Sequence, residues 1–133
     1  MFGSFFSKLF SKTDRVPVSD RQIGIAGEKA AADYLRDHGI RIIERNWRCR
    51  IGELDLIGID SGEYVIVEVK SSKKLGSLPP EFRVQAKKRR KLDALAELYM
   101  KSRAIDAPYR IDVISVWWEN NHVQIRHIPN AYR

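Results

Sequence analysis

Four charged residues occupy alternating positions in two β-prone segments near the middle of the chain. Glu53 and Asp55 lie in the first segment, and Glu68 and Lys70 lie in the second. Successive strand residues point to opposite faces, so each pair shares one side. If Ser61-Gly62 forms a two-residue turn, Asp55 lies opposite Glu68 and Glu53 lies opposite Lys70. The spacing therefore predicts a β-hairpin that gathers four charged groups on one face.

Two facing carboxylates repel each other by roughly 0.2–1 kcal/mol, and a divalent cation between them would remove the conflict. Mg²⁺ prefers oxygen ligands, which Asp55 and Glu68 supply, with the backbone carbonyl of Val69 as a further donor. Such an ion can polarise a phosphodiester and lower the pKa of a water molecule, and Lys70 could orient that water or stabilise charge on the phosphate. The alternative is a Glu53–Lys70 ion pair beside two solvated acids.

The predicted register depends on the apolar residues of the same hairpin. A slip of one residue would send the carboxylates to opposite faces. The apolar positions argue against a slip, because they predict one continuous hydrophobic face for a helix to cover: Leu54, Leu56, Val65, Val67 and Val69.

The elements around the hairpin follow from periodicity and capping signals. A helix begins at Ser19 or Asp20 and ends at Gly39, and Glu28 on this helix could reach the site as a further ligand. Ile40 to Trp47 predicts a strand, and a second helix should run from near Glu81 to about Lys101. Strands beginning at Pro108 and near Val123 to Ile128 complete the domain. This order predicts an α/β fold with a mixed central sheet flanked by helices.

Composition limits the chain to one domain and favours a polyanionic partner. The 133 residues can bury one substantial core, and the formal net charge of +7 attracts nucleic acid or an anionic membrane surface. A single cysteine, Cys49, excludes an intrachain disulfide and disfavours a cysteine-built zinc site, so we expect a cytoplasmic protein.

Basic residues downstream of the hairpin are candidates for contacting nucleic-acid phosphates. They lie on the loop after the hairpin and on the second helix: Lys73, Lys74, Lys87, Lys88, Arg89 and Lys91. The alternative is an ordinary solvated helix face. For Trp117 and Trp118 we favour core and edge packing over base stacking. Asp112 with Arg110 is either an ion pair or a functional acid.

The first 18 residues are expected to form a flexible amphipathic segment outside the domain, which then spans residues 19–133. Within residues 1–12, Lys8 and Lys12 are interspersed with Phe2, Phe5, Phe6, Leu9 and Phe10. A frayed terminus, or a segment packing on the domain, is favoured over a membrane or partner anchor. No apolar run approaches the ~20 residues that a membrane-spanning helix needs.

Motifs along most of the chain carry a family resemblance. The segments Gly52 to Ile57 and Val67 to Lys70 are similar to those of the YraN-like family of uncharacterised bacterial proteins, as are Gly24 to Glu28, Asn46, Arg110 to Val113, and Asn130 to Tyr132. The resemblance implies a restriction-endonuclease-like PD-(D/E)xK fold with an αβββαβ core, related to archaeal Holliday junction resolvases. It also implies a divalent metal, acidic ligands at Glu28, Asp55 and Glu68, and a catalytic lysine at Lys70.

Spacing and resemblance together predict a Mg²⁺- or Mn²⁺-dependent nuclease that acts on DNA, including branched DNA, without a small-molecule cofactor. Two alternatives remain open: a nucleic-acid-binding module of the same fold without catalysis, and an adaptor tethered to a membrane through residues 1–12. The protein could also act as a homodimer. Fold alone does not decide among these functions.

Overall fold

A mixed six-stranded sheet with one helix on each face forms the framework of the protein. The computed structural model describes residues 16–75 and 87–132 in full, together with the backbone of residues 4–9 and 86. The strand order is β1-β6-β5-β4-β3-β2, in which only β4 and β5 are parallel neighbours. The predicted α/β class with an αβββαβ core is confirmed. The elements are β1 (Ser4–Leu9), α1 (Asp20–Asp37), β2 (Arg41–Cys49), β3 (Gly52–Asp60), β4 (Glu63–Ser71), α2 (Ala86–Ser102), β5 (Tyr109–Glu119) and β6 (His122–Ile128).

The turn between β3 and β4 sets the register of the hairpin. Asp60 pairs with Glu63, and Ser61 and Gly62 both adopt positive φ angles, of 51° and 88°. Two consecutive positive φ angles are characteristic of the type I′ turn, which matches the twist of the flanking strands. The predicted two-residue loop and its register are confirmed.

Helices cover both faces of the hairpin, whereas we expected a single covered face. The α1 side of the sheet buries Leu56, Val65 and Val67, with Val69 packed against them. Leu54 belongs to the other cluster, which α2 covers. The prediction that Leu54 shares a face with Leu56 is therefore wrong, because the β3 segment between them does not keep regular alternation.

Helix α1 begins and ends as its sequence predicts. The Ser19 hydroxyl accepts a hydrogen bond from the Gln22 backbone N–H, and the Gln22 side chain accepts one from the Ser19 backbone N–H. This capping box satisfies two otherwise unpaired donors of the first turn. Gly39, with φ of 86°, ends the helix and directs the chain into β2.

Helix α2 forms the crossover between the parallel strands β4 and β5. Parallel neighbours need such a connection because a short turn cannot join their ends. The helix is described from Ala86, and its predicted start near Glu81 lies outside the described residues.

Part of the N-terminal segment lies along the sheet. Residues 4–9 form β1 and pair antiparallel with β6 from Ser4↔His127 to Leu9↔His122. This strand pairs backbone groups of β6 that would otherwise form an open edge. Residues 1–3 and 10–15, the rest of the amphipathic stretch, lie outside the described residues. Among the described helices, none combines the length and apolar character needed to cross a membrane.

Strand β2 forms the opposite edge of the sheet and is irregular. Its register with β3 shifts between Ile42 and Glu44, and Asn46 adopts a positive φ of 52°. Arginine and glutamate side chains occupy much of its length: Arg41, Glu44, Arg45 and Arg48. The irregular backbone turns the Asn46 side chain toward α1, where it bonds to Glu28.

Candidate functional site

The hairpin strands separate where the predicted acidic residues begin. Backbone pairing of β3 with β4 runs from Asp60↔Glu63 to Leu56↔Val67. Beyond that point β3 continues along β2 and β4 continues along β5. The Asp55 carboxylate enters the resulting gap, where Oδ2 accepts a 2.8 Å hydrogen bond from the Val69 backbone N–H. A partly buried side chain thus takes the place of a backbone ladder bond just beyond the last pair, Leu56↔Val67.

Asp55 is the most perturbed carboxyl group of the site. Burial raises its pKa to about 7 despite the opposing hydrogen bond from Val69. The carboxylates of Glu68, Glu28 and Glu53 raise the pKa further, in that order. A partly buried carboxyl group that is surrounded by three other acids suits a bound cation.

Glu28 approaches Asp55 from the α1 side of the sheet. Burial raises the pKa of Glu28, and a hydrogen bond from the Asn46 side chain opposes this effect. The left-handed backbone at Asn46 makes that contact available, since a regular strand would orient the residue differently. In the sequence, Asn46 stands out only through the family resemblance. The low strand propensity of asparagine is the one local sign of an irregular backbone there.

Glu68 is held on the other side of the sheet. It alternates with Val67 and Val69, which face α1, so its side chain lies toward α2. There its Oε2 lies 2.6 Å from Nζ of Lys88. Tyr132 also lies nearby: burial, followed by the Glu68 charge, raises the pKa of Tyr132 to about 12. Neither the Lys88 contact nor the position of Tyr132 follows from strand spacing.

The four predicted charged groups are therefore only partly brought together. Glu28 and Glu68 influence Asp55 from opposite layers, and within the described residues no three acidic, histidine or cysteine side chains lie close enough to hold a metal ion. Glu53 turns to β2 and pairs with Arg48, Oε2 to Nε 2.8 Å. The expected convergence of all four groups on one face is wrong for Glu53, as is the alternative Glu53–Lys70 ion pair.

Lys70 stands two residues beyond Glu68 on the same strand. It is partly buried and has no ion-pair partner among the described residues. Its neighbour in the parallel register is Ser115 of β5. The Ser115 hydroxyl is fully buried and has no hydrogen-bond partner within the described residues. Lys70 and Ser115 therefore occupy adjacent positions of neighbouring strands on the α2 side of the sheet.

The predicted phosphate contacts divide into paired and exposed groups. Lys88 is engaged by Glu68, and Arg89 lies 3.9 Å from Asp93. Lys87 and Lys91 are exposed on α2, and Lys73 and Lys74 are exposed after β4. Trp117 and Trp118 are both buried, which agrees with packing in the core and leaves neither face available for base stacking.

A second polar cluster explains Arg110 and Asp112. The fully buried Asp112 carboxylate accepts hydrogen bonds from Arg110 Nε at 3.0 Å and from the Asn130 backbone N–H at 3.0 Å, and its other oxygen lies 2.7 Å from His127 Nε2. Although burial alone would raise it, these contacts hold the pKa of Asp112 below its usual value. Arg110 also pairs with Asp60 and Glu63. The cluster ties β5, β6 and the hairpin together and is an ion-pair network.

Fold and site together define an α/β protein with a restriction-endonuclease-like core and a partly buried carboxyl group at the opening of its central hairpin. Comparison with known proteins identifies the family. The model of Uncharacterised protein family UPF0102 matches residues 27–116, and the chain belongs to this family, which confirms the YraN-like resemblance.

The relatives are bacterial, and the matches cover most of the length of each. A UPF0102 protein of Geobacter metallireducens is 40% identical over 85% of this chain and 93% of its own length. One from Bacteroides thetaiotaomicron is 41% identical over 84% of this chain and 92% of its own. One from Persephonella marina is 44% identical over 82% and 91%.

Proposed function

We propose that the protein is a divalent-metal-dependent nuclease that hydrolyses phosphodiester bonds in DNA, including branched or otherwise structured DNA. The observation that carries the proposal is Asp55. Its carboxyl group lies partly buried in the gap between β3 and β4, and burial, followed by three neighbouring carboxylates, raises its pKa to about 7. A fold gains no stability from such an arrangement, which suits a ligand that neutralises it.

The residues around Asp55 fit Mg²⁺ or Mn²⁺ in the chemistry of their donors. Asp55 and Glu68 would hold the ion with the Val69 backbone carbonyl, and Glu28 would complete the acidic set from the α1 side. Magnesium sites commonly use only one or two carboxylates and fill the remaining positions with water and phosphate oxygens. Glu68 forms a short ion pair with Lys88, and this pair must break before Glu68 can bind the ion. A bound ion would polarise the phosphodiester and acidify a water molecule.

Lys70 supplies the cationic group of the proposal. Its ammonium group would stabilise the negative charge that develops on the phosphate, or orient the attacking water by hydrogen bonding. The described residues leave this amine without a competing carboxylate. Asn46 would act as a positioning residue, because its side chain fixes the carboxylate of Glu28.

A cleavage panel tests this function. Labelled single-stranded, duplex, flapped and four-way DNA are each incubated with the protein in Mg²⁺ or in Mn²⁺. We expect at least one substrate to be cut, and we expect cutting to disappear in Asp55→Ala, Glu68→Ala and Lys70→Ala variants that remain folded by circular dichroism. Glu63→Gln is the matched control. It alters an acid of the same hairpin, Glu63, which is the backbone partner of Asp60. Glu63 lies roughly 16 Å along the strands from Asp55, so the change should leave cutting unchanged.

The panel also contains the result that refutes nuclease activity. If wild-type protein leaves every DNA intact in both metals, the proposed catalysis is wrong. If wild type cuts DNA but the Asp55 and Lys70 variants cut equally well, the activity belongs to another site or to a contaminant.

A nucleic-acid-binding module without catalysis is the second candidate, and one observation favours it. Lys88 already neutralises Glu68, and no three potential ligands gather among the described residues. In that case DNA affinity would fall steeply with salt, because exposed lysines and arginines replace counterions on the phosphates. Salt-dependent binding of DNA that stays uncut in either metal would identify this function.

A further inference from the structure

A groove beside the candidate site lies between α1 and the end of β4. It encloses about 560 Å³, and Gly24 and Glu28 lie on its α1 wall. Val69, whose N–H donates to Asp55, and the exposed Lys73 and Lys74 lie on the opposite wall. The groove therefore extends from the acidic residues to a pair of surface cations.

Gly24 has no structural reason to be glycine. It sits inside α1, where glycine is the least favourable residue after proline because its backbone loses the most freedom on folding. A Cβ added at Gly24 would meet no described heavy atom within 4 Å. Gly27, one turn later, is different: a Cβ there would lie 2.7 Å from Cβ of Ser71, so close helix–strand packing accounts for it. Because Gly24 has no side chain, the groove beside α1 stays open at this position.

The lysine wall is fixed by backbone hydrogen bonds. The Ser72 N–H donates to the Val116 carbonyl at 3.0 Å, and the Trp118 N–H donates to the Lys73 carbonyl at 3.4 Å. The segment thus continues along β5 after β4 ends. Two cations on an anchored backbone offer a more precise phosphate site than lysines on a mobile loop.

We propose that this groove holds the sugar–phosphate backbone of one nucleic-acid strand on the α1 side of the sheet, next to Glu28 and to the opening that Asp55 occupies. Phosphates lie against Lys73 and Lys74, and the sugars lie against the surface that Gly24 leaves open. Asp20 and Glu28 on the α1 wall keep the phosphates on the lysine side. The described lining contains no aromatic side chain, so the strand is held by its backbone and not by base stacking, which makes recognition independent of sequence.

This inference rests on the proposed function for its substrate class, so its test measures binding separately from cleavage. Anisotropy of a fluorescein-labelled, mixed-sequence single-stranded oligodeoxynucleotide is followed in EDTA, which prevents metal-dependent cutting. We expect Gly24→Trp to weaken binding at least tenfold, because the indole fills the groove. Ile25→Trp is the matched control: Ile25 is exposed on the same helix but does not line the groove. It should bind as wild type does.

The lysines give a second, independent measurement. Removing two phosphate contacts in a Lys73→Ala/Lys74→Ala variant should reduce the slope of log K against log salt concentration by about 1.4 for a single strand. Lys101→Ala, on the far end of α2, should leave the slope unchanged.

The outcomes separate this inference from the nuclease proposal. Unchanged affinity in Gly24→Trp, with an unchanged salt slope in the double lysine variant, overturns the groove whether or not the wild type cuts DNA. Loss of affinity in both variants, in a protein that cuts none of the panel substrates, supports the groove and refutes catalysis. A general loss of folding is detected by comparing the unfolding midpoints of Gly24→Trp and Ile25→Trp.

Discussion

Replacing Asp55 with asparagine should stabilise the metal-free protein at high pH and leave it unchanged at low pH. Asparagine keeps the size of the side chain and can still accept the Val69 N–H bond, but it cannot ionise. The folded protein raises the pKa of Asp55 from 3.8 to about 7. A raised carboxyl pKa means that the folded state binds the proton more tightly than the unfolded chain does. The resulting stability is complete below pH 3.8 and is lost as pH rises through 7.

The size of the effect follows from the shift in pKa. Three units correspond to about 4 kcal/mol at 1.36 kcal/mol per unit, an upper limit because part of the group remains exposed to solvent. The wild type should lose up to about 1.4 kcal/mol for each pH unit between 4 and 7 from this group alone. Typical domains have only 5–15 kcal/mol of stability, so the difference is readily measured.

Urea unfolding of wild type and Asp55→Asn in EDTA, at pH 4, 6 and 8, measures this difference. The gap between their free energies of unfolding should be near zero at pH 4 and should widen to a few kcal/mol in favour of the variant at pH 8. Asp106→Asn, at an exposed loop position, is the control and should show no such trend. If the difference in free energy of unfolding stays constant across the three pH values, or favours wild type at pH 8, Asp55 is not a partly buried acid that lacks a neutralising cation.

Two further substitutions test the framework around the site. Asp112→Ala should cost about 3–5 kcal/mol in urea unfolding, because Arg110 and His127 lose their buried partner; a cost below 1 kcal/mol would show that the network contributes little. Gly27→Ala should cost about 1–3 kcal/mol, because its Cβ would lie 2.7 Å from Cβ of Ser71. A second substitution, Ser71→Gly, should restore most of that loss, and strict additivity of the two changes would contradict the close contact.

The parts of the fold that the sequence predicts well are those determined locally. The Ser61-Gly62 turn and the alternation of Val65, Val67 and Val69 are short-range features, so the hairpin register follows from a few adjacent residues. The capping box at Ser19 is equally local. The predicted types and order of the elements from α1 to β6 are accordingly confirmed.

The candidate site is harder to predict because it depends on which layer each element occupies. Spacing places Asp55 and Glu68 opposite each other, but it does not show that the strands separate there and that Lys88 from α2 holds Glu68. It also gives no reason to place Glu28 on the opposite side of the sheet, next to Asn46 with its positive φ. Long-range packing and an unusual backbone angle decide these contacts, and neither leaves a periodic signal. Strand β1 is hard to predict for the same reason, since its partner β6 lies more than a hundred residues away in the sequence.

The irregular outer strand β2 affects how the protein behaves at high concentration. An exposed edge invites other polypeptides to add a strand to it, which is a common beginning of aggregation. Here the shifted register after Ile42, the left-handed Asn46 and a row of arginines interrupt the straight, uncharged template that such growth requires. Fibril-like stacking through β2 is thereby disfavoured, so strand addition to the described sheet would have to occur at its other border, along β1.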